Sequence, residues 1–129
     1  MNKLDKVKTI IIEKPLKLDC GKTISKFPLA YETYGKLNEK KDNAILAFHA
    51  LTGDQFVTGI NPITNKNGWW SYLVGPDKPV DTNKFFVICA NVIGGCIGSY
   101  GPNTVDPITK KKLATNFPVI TINDMVNAQ

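Results

Sequence analysis

Few residues in this chain are equipped for chemistry. The one histidine, His49, lies in "FHALTG" (48–53), just after the apolar run "AIL". It is a candidate general base, a candidate metal ligand, or part of the frame of a strand-to-loop corner. A metal is the weakest of these. Zinc wants four Cys, His or carboxylate ligands, and Cys20, Cys89 and Cys96 form no CxxC pair to join one histidine. Cys96, in "GGCIG", is a conceivable thiolate if His49 were its partner. Cys89 sits inside "FFVICAN" and reads as a small buried hydrophobe. Ser25, Ser71 and Ser99 lie in no Gly-x-Ser-x-Gly turn, so no serine is presented as a nucleophile.

Two glycine-bearing stretches remain. In "HALTGD" small residues follow a strand, so that a substrate can approach the main chain. A tetrahedral acyl intermediate needs backbone N–H donors preset around its oxygen, and such a corner can supply one. "NVIGGCIGSYGP" follows another strand but has neither GxGxxG nor GK[ST]. Its glycines read as close-packing residues rather than a phosphate cradle. The aromatic cluster Trp69, Trp70 and Tyr72 reads as an anchor that ties a loop to the core.

These residues must be held by a sheet. "VKTIIIE" (7–13) is rich in β-branched residues and predicts a first strand. A turn is expected at Asp19–Gly21. "FPLAYETYG" (27–35) alternates apolar and polar, which predicts a strand with one wetter face. "AILAFHA" (44–50) and "FFVICAN" (85–91) are short and continuously apolar, the pattern of strands buried on both faces of a parallel or mixed sheet. Each is followed by a long stretch rich in Gly, Pro and Asn with little periodicity. Loops of that length are functional more often than not. Thr121 and Asp124 have capping-box spacing ahead of a helix whose apolar face is Ile122, Met125 and Val126. No internal repeat is evident.

Composition narrows the function classes. The chain has 129 residues, 43% hydrophobic and 21% charged, as a folded globular chain has. No apolar run approaches the ~20 residues of a membrane span, and the polar start lacks a signal-peptide core, so a cytoplasmic, non-membrane protein is expected. The net charge is +5 and every basic residue is lysine. Nucleic-acid readers depend on arginine forks, so no nucleic-acid partner is expected.

Taken in order, "FPLAYETYGKLN", "NAILAFHALTGD", "GWWSYLVGP", "DTNKFFVICANVIGGCIGSYGP" and "FPVITINDMVNAQ" closely resemble the N-terminal part of the homoserine O-acetyltransferases. The resemblance runs from about Leu16 to Gln129. It implies an α/β fold, the N-terminal part of an α/β-hydrolase. That part is a mostly buried mixed sheet with long loops at the strand ends, incomplete over 1–129 because the nucleophile elbow and all beyond it would be missing. It implies cytoplasmic acetyl transfer from acetyl-CoA to L-homoserine by a Ser-His-Asp triad, with no cofactor beyond that co-substrate. It also implies a homodimer and no membrane or nucleic-acid partner.

By the same resemblance, Leu51 gives its backbone N–H to the oxyanion hole, and Thr52, Gly53, Asp54 and Gln55 line the acceptor pocket. His49 becomes scaffold, since the family's triad and its carboxylate-binding arginine lie downstream. The chain alone is then expected to be inactive and, with a sheet edge bare, prone to associate. Phe56 and Tyr100 stand where the family commonly has His and Thr, which leaves a succinyltransferase or a serine O-acyltransferase open. A truncated non-catalytic product, or one piece of a split enzyme, is the reading from another class.

Overall fold

A computed structural model describes residues 6–129. By density of internal contact the described chain divides into two units, one holding Tyr31–Ala90, the other Lys8–Ala30 with Asn91–Gln129. Among the described residues the elements run in the order β1 Thr9–Ile12, β2 Leu16–Lys17, β3 Thr23–Ile24, β4 Phe27–Tyr34, β5 Ala44–Ala47, β6 Val74–Gly75, β7 Val80–Asp81, β8 Phe86–Ala90, a 3-10 helix Ala114–Asn116 and α1 Ile122–Asn127. No described helix is long and apolar enough to cross a membrane.

In the unit Tyr31–Ala90 the sheet is mixed, as the sequence predicts. The second half of β4 pairs antiparallel with β8, Tyr31 against Ala90 and Tyr34 against Val87. β5 pairs with β8 in parallel, Ala44 against Phe86 and Ala47 against Cys89. Ala47, Val57, Val74, Val87 and Cys89 form the core, with Trp69 and Trp70 packed against it. Each buried valine contributes about 1.5–3 kcal/mol by leaving water. β5 departs from expectation: Ala47 is buried, but Leu46 remains 47% exposed and Ala44 is also exposed. Apolar continuity does not distinguish a strand covered on both faces from one whose second face is open.

The other unit is organised by the first half of β4, which pairs antiparallel with β1, Thr9 against Ala30 and Ile12 against Phe27. β4 shows no wetter face in this half, because Leu29 and Ala30 are both buried. Ser99 accepts a hydrogen bond from Ala30 N–H and donates to the Asn91 carbonyl, while Tyr100 N–H donates to Pro28, so the glycine-rich loop is stitched to β4. A methyl on Gly101 would stand 2.3 Å from the Gly95 carbonyl, which bears out the close-packing reading.

Thr121 caps α1 as its spacing predicts: its side chain accepts from Asp124 N–H, and the Asp124 carboxylate accepts from Thr121 N–H. The same carboxylate accepts from Asp19 N–H in the β2–β3 hairpin. Burial pushes the Asp124 carboxyl up, but the N–H donors of Thr121 and Asp19 outweigh it and hold it below the usual carboxylate range. The expected apolar face is not what α1 buries. Asp124 and Ala128 are buried, whereas Ile122 and Val126 are exposed.

The two long stretches contain an unexpected repeat. In Ile60–Asn67 the Asn61 side chain accepts from Ile63 N–H (2.9 Å) and Thr64 N–H (3.2 Å). In Val105–Lys112 the Asp106 side chain accepts from Ile108 N–H (2.7 Å) and Thr109 N–H (2.9 Å). Each loop is closed by an antiparallel bridge, Ile60 with Asn67 and Val105 with Lys112. Each has its fifth residue from the Asx at position 65 or 110 in the left-handed region, with φ 57°. The common string is an Asn or Asp followed by Pro-Ile-Thr, so both loops are Asx turns extended by one Pro-fixed corner.

Candidate active site

The turn that follows β5 is a tight β-turn, Ala50 to Gly53, closed by Gly53 N–H on the Ala50 carbonyl at 2.8 Å. His49 acts on that same carbonyl. Its Nδ1 lies 2.7 Å from Ala50 O, and since a carbonyl only accepts, Nδ1–H is the donor. The ring also packs against Gly53, where a Cβ would stand 2.9 Å from the His49 Cβ and 3.3 Å from Nδ1. The histidine is therefore a strut: it fixes the first carbonyl of the turn, and Gly53 makes room for it.

Leu51 and Thr52 occupy the tip. The Leu51 side chain is 90% exposed, and its backbone N–H donates to no group among the described residues. An unpaired N–H at a rigid, solvent-facing corner is the kind of donor that a developing oxyanion requires.

Behind the tip, Asp54 holds the following loop. Its carboxylate accepts from Phe56 N–H (2.8 Å) and from the Asn61 side-chain amide (2.8 Å). Its carbonyl accepts from the Trp69 indole N–H at 2.9 Å. Trp69 thus does anchor a loop, as does Trp70 in the core, whereas Tyr72 is 76% exposed and anchors nothing. Thr52, Gly53 and Asp54 line a cavity of about 180 Å3 together with Lys66, Asn67 and Trp69. Gln55 is fully buried and lies outside that lining. Sequence reading missed Asn61, which is 5% exposed and closes the cavity wall on Asp54. The repeated Asx-Pro-Ile-Thr string was the available signal.

The thiol beside the His49 backbone is Cys89. Burial, then the Asp54 charge, push it up to about 12 against the opposing His49 N–H, so it stays protonated and is no nucleophile. Cys96 is exposed and belongs to the other unit. Ser71 and Ser99 donate their hydroxyls to the carbonyls of Gly68 and Asn91.

A mixed sheet whose parallel strand runs into a rigid corner with a free N–H is the architecture of the α/β-hydrolase fold, and the chain has part of that fold. The crystal structure of homoserine O-acetyltransferase from Bacillus anthracis superposes with a TM-score of 0.83 at 32% identity, over 96% of this chain and 35% of that one. The crystal structure of esterase E22 matches with a TM-score of 0.78 at 30% identity, over 95% of this chain and 36% of that one.

In sequence the chain is homologous to homoserine O-acetyltransferases. That of Pelagibacter ubique is 75% identical over 123 residues, 95% of this chain and 33% of the relative. That of Nitrobacter hamburgensis is 59% identical over 117 residues, 91% of this chain and 29% of the relative. The chain thus spans about a third of the length of the curated relatives it matches. No family model matches it.

Proposed function

We propose that this chain is the portion of a homoserine O-acetyltransferase that supplies an oxyanion-hole donor. The whole protein then transfers acetyl from acetyl-CoA to the hydroxyl of L-homoserine, in the cytoplasm, for methionine biosynthesis. The observation that carries the reading is the 75% identity to the P. ubique relative across nearly the whole chain. In this reading the acyl carbonyl oxygen gains negative charge as a serine attacks it, and the Leu51 N–H meets that charge in place. Thr52, Gly53 and Asp54 form the wall that faces the acceptor, and Gln55 supports it from the buried side. The triad, the carboxylate clamp and a homodimer contact are assigned to the rest of the protein. No cofactor, nucleic acid or membrane takes part. On that assignment the chain by itself has no acetyltransferase activity.

The test uses the complete enzyme. Leu51→Pro deletes the N–H at the second position of a β-turn, where proline is tolerated, and kcat should fall about 10²–10³-fold. Leu51→Ala keeps the N–H and should change kcat little. Equal losses in the two variants would reject the backbone role. Competition between acetyl-CoA and succinyl-CoA, and between homoserine and serine, fixes donor and acceptor.

The likeness to esterase E22 favours a second reading, in which water replaces homoserine as acceptor. If hydrolysis of p-nitrophenyl acetate is unaffected by added homoserine and no O-acetylhomoserine forms, that second reading stands and the first is lost.

A further inference from the structure

The unit Tyr31–Ala90 has a larger cavity, about 610 Å3, which meets the smaller cavity beside the Leu51 turn at Asn67, a residue that lines both. Register sets its Tyr34 wall two residues along β8 from the strand end that leads into the turn. Tyr34, on the cavity wall, pairs with Val87 near the start of β8, whereas the turn follows Ala47, paired with Cys89 near its end. The volume falls within the ~300–1,000 Å3 typical of small-molecule sites. Among the lining residues Tyr34, Thr58, Ser71, Tyr72 and Thr82 carry hydroxyls, and Lys78 is the only charged one.

Lys78 differs from an ordinary surface lysine. Its ammonium donates to the Ser71 carbonyl. Its stem lies across Gly75, where a methyl would stand 3.1 Å from Cδ and 3.3 Å from Nζ. Gly75 therefore leaves the space in which Lys78 is held, and a cation already held gives up less freedom when it binds. An ammonium has three donors, so two remain beyond the Ser71 contact.

The nearby carboxylates are engaged elsewhere. Asp81 accepts from Asp77 and Asn83 N–H and pairs with Lys84 at 3.3 Å. Asp77 accepts from the Asn83 amide at 3.4 Å. Tyr72 offers an exposed ring in the lining of the same cavity.

We propose that this cavity binds a small organic anion, with phosphate or carboxylate oxygens on Lys78 and a flat or apolar body against Tyr72. The site does not include the residues of the oxyanion turn, although Asn67 lines both cavities, and it does not depend on the acyl-transfer reading. The chain carries 16 lysines and a net charge of +5, so diffuse anion binding is the competing outcome.

Phenyl phosphate, inorganic phosphate and benzoate are titrated into the 15N-labelled complete protein, following the amides of Ser71, Gly75 and Lys78. Saturable shifts confined to these amides are expected. Lys78→Gln should weaken binding by at least about tenfold, the loss of one charge-assisted contact, while Lys111→Gln should leave it unchanged. Tyr72→Ala should reduce phenyl phosphate to the affinity of inorganic phosphate. Tyr34→Phe should leave all three unchanged, because the Tyr34 hydroxyl is sealed from solvent. Preference for phenyl phosphate assigns a phosphate ligand, and preference for benzoate a carboxylate. Shifts spread over many lysines, or equal effects of Lys78→Gln and Lys111→Gln, would overturn the proposal.

Discussion

The loops Ile60–Asn67 and Val105–Lys112 have one backbone and two environments. The same two side-chain hydrogen bonds, the same bridge and the same left-handed residue build both. Asn61 is buried, and its amide continues to Asp54, beneath the Leu51 turn. Asp106 is half-exposed, and Ile108 is 89% exposed where its counterpart Ile63 is half-buried, while the bridge residues Ile60 and Val105 are exposed in both loops. The local code therefore folds the loop wherever it occurs. What the first Asx can touch beyond its own loop decides whether that loop supports a site.

The largest break in this comparison comes from giving the buried loop the other's carboxylate. Asn61→Asp replaces an N–H donor 2.8 Å from the Asp54 carboxylate with an acceptor. Asp54 is half-buried, so a like charge at the buried position 61 together with the lost donor should cost about 1–3 kcal/mol unless one carboxyl takes a proton. The introduced carboxyl would have a folded pKa raised above its unfolded value of about 3.9. The penalty is then present at neutral pH and shrinks as pH falls below the folded value. Urea unfolding of this variant at pH 7 and pH 4 measures both. Stability equal to the parent at pH 7 would mean that the Asp54–Asn61 contact does not hold the turn's support.

A smaller effect separates the fifth residues. Asn65 and Lys110 share φ 57°, which asparagine tolerates better than lysine. Lys110→Asn should stabilise the exposed loop by about 0.5–1 kcal/mol, and Asn65→Lys should cost the buried loop a similar amount. A shift of the same sign in both would mean that backbone conformation does not set the preference, since both positions are exposed.

The parts of the molecule legible in sequence were those carried by short-range patterns. The strand at Phe86–Ala90, the turn at Asp19 and the Thr121–Asp124 capping box all follow from neighbouring residues. The burial of Cys89 also followed, because its flanks are apolar. His49 was not legible, since its role depends on the Ala50 carbonyl and on an absent Cβ at Gly53. The Asp54–Asn61 contact lies in a stretch without periodicity, where spacing says nothing about distance. The held ammonium of Lys78 depends on Gly75, which in sequence is simply one more turn glycine. The open faces of β5 and α1 were misread because apolar pattern predicts what a residue prefers to bury, not what is present to cover it.

The smallest expected effect is the most selective. The N–H donors of Thr109, then Ile108, hold the Asp106 carboxyl below the usual carboxylate range, against a small opposing effect of burial. A folded pKa below the unfolded value of about 3.9 means that the contact stabilises the loop above that pH and is lost as pH falls through the folded value. This sign is opposite to that of Asn61→Asp. Amide shifts of Ile108 and Thr109 should therefore titrate in acid, while those of Ile63 and Thr64, bonded to an uncharged amide, should not follow that transition. Asp106→Asn gives the exposed loop the buried loop's chemistry. It should abolish the acid transition at Ile108 and Thr109 while leaving both hydrogen bonds and the neutral-pH fold in place. If the transition persists in Asp106→Asn, another group controls the loop, and the two Asx turns are alike in shape but not in cause.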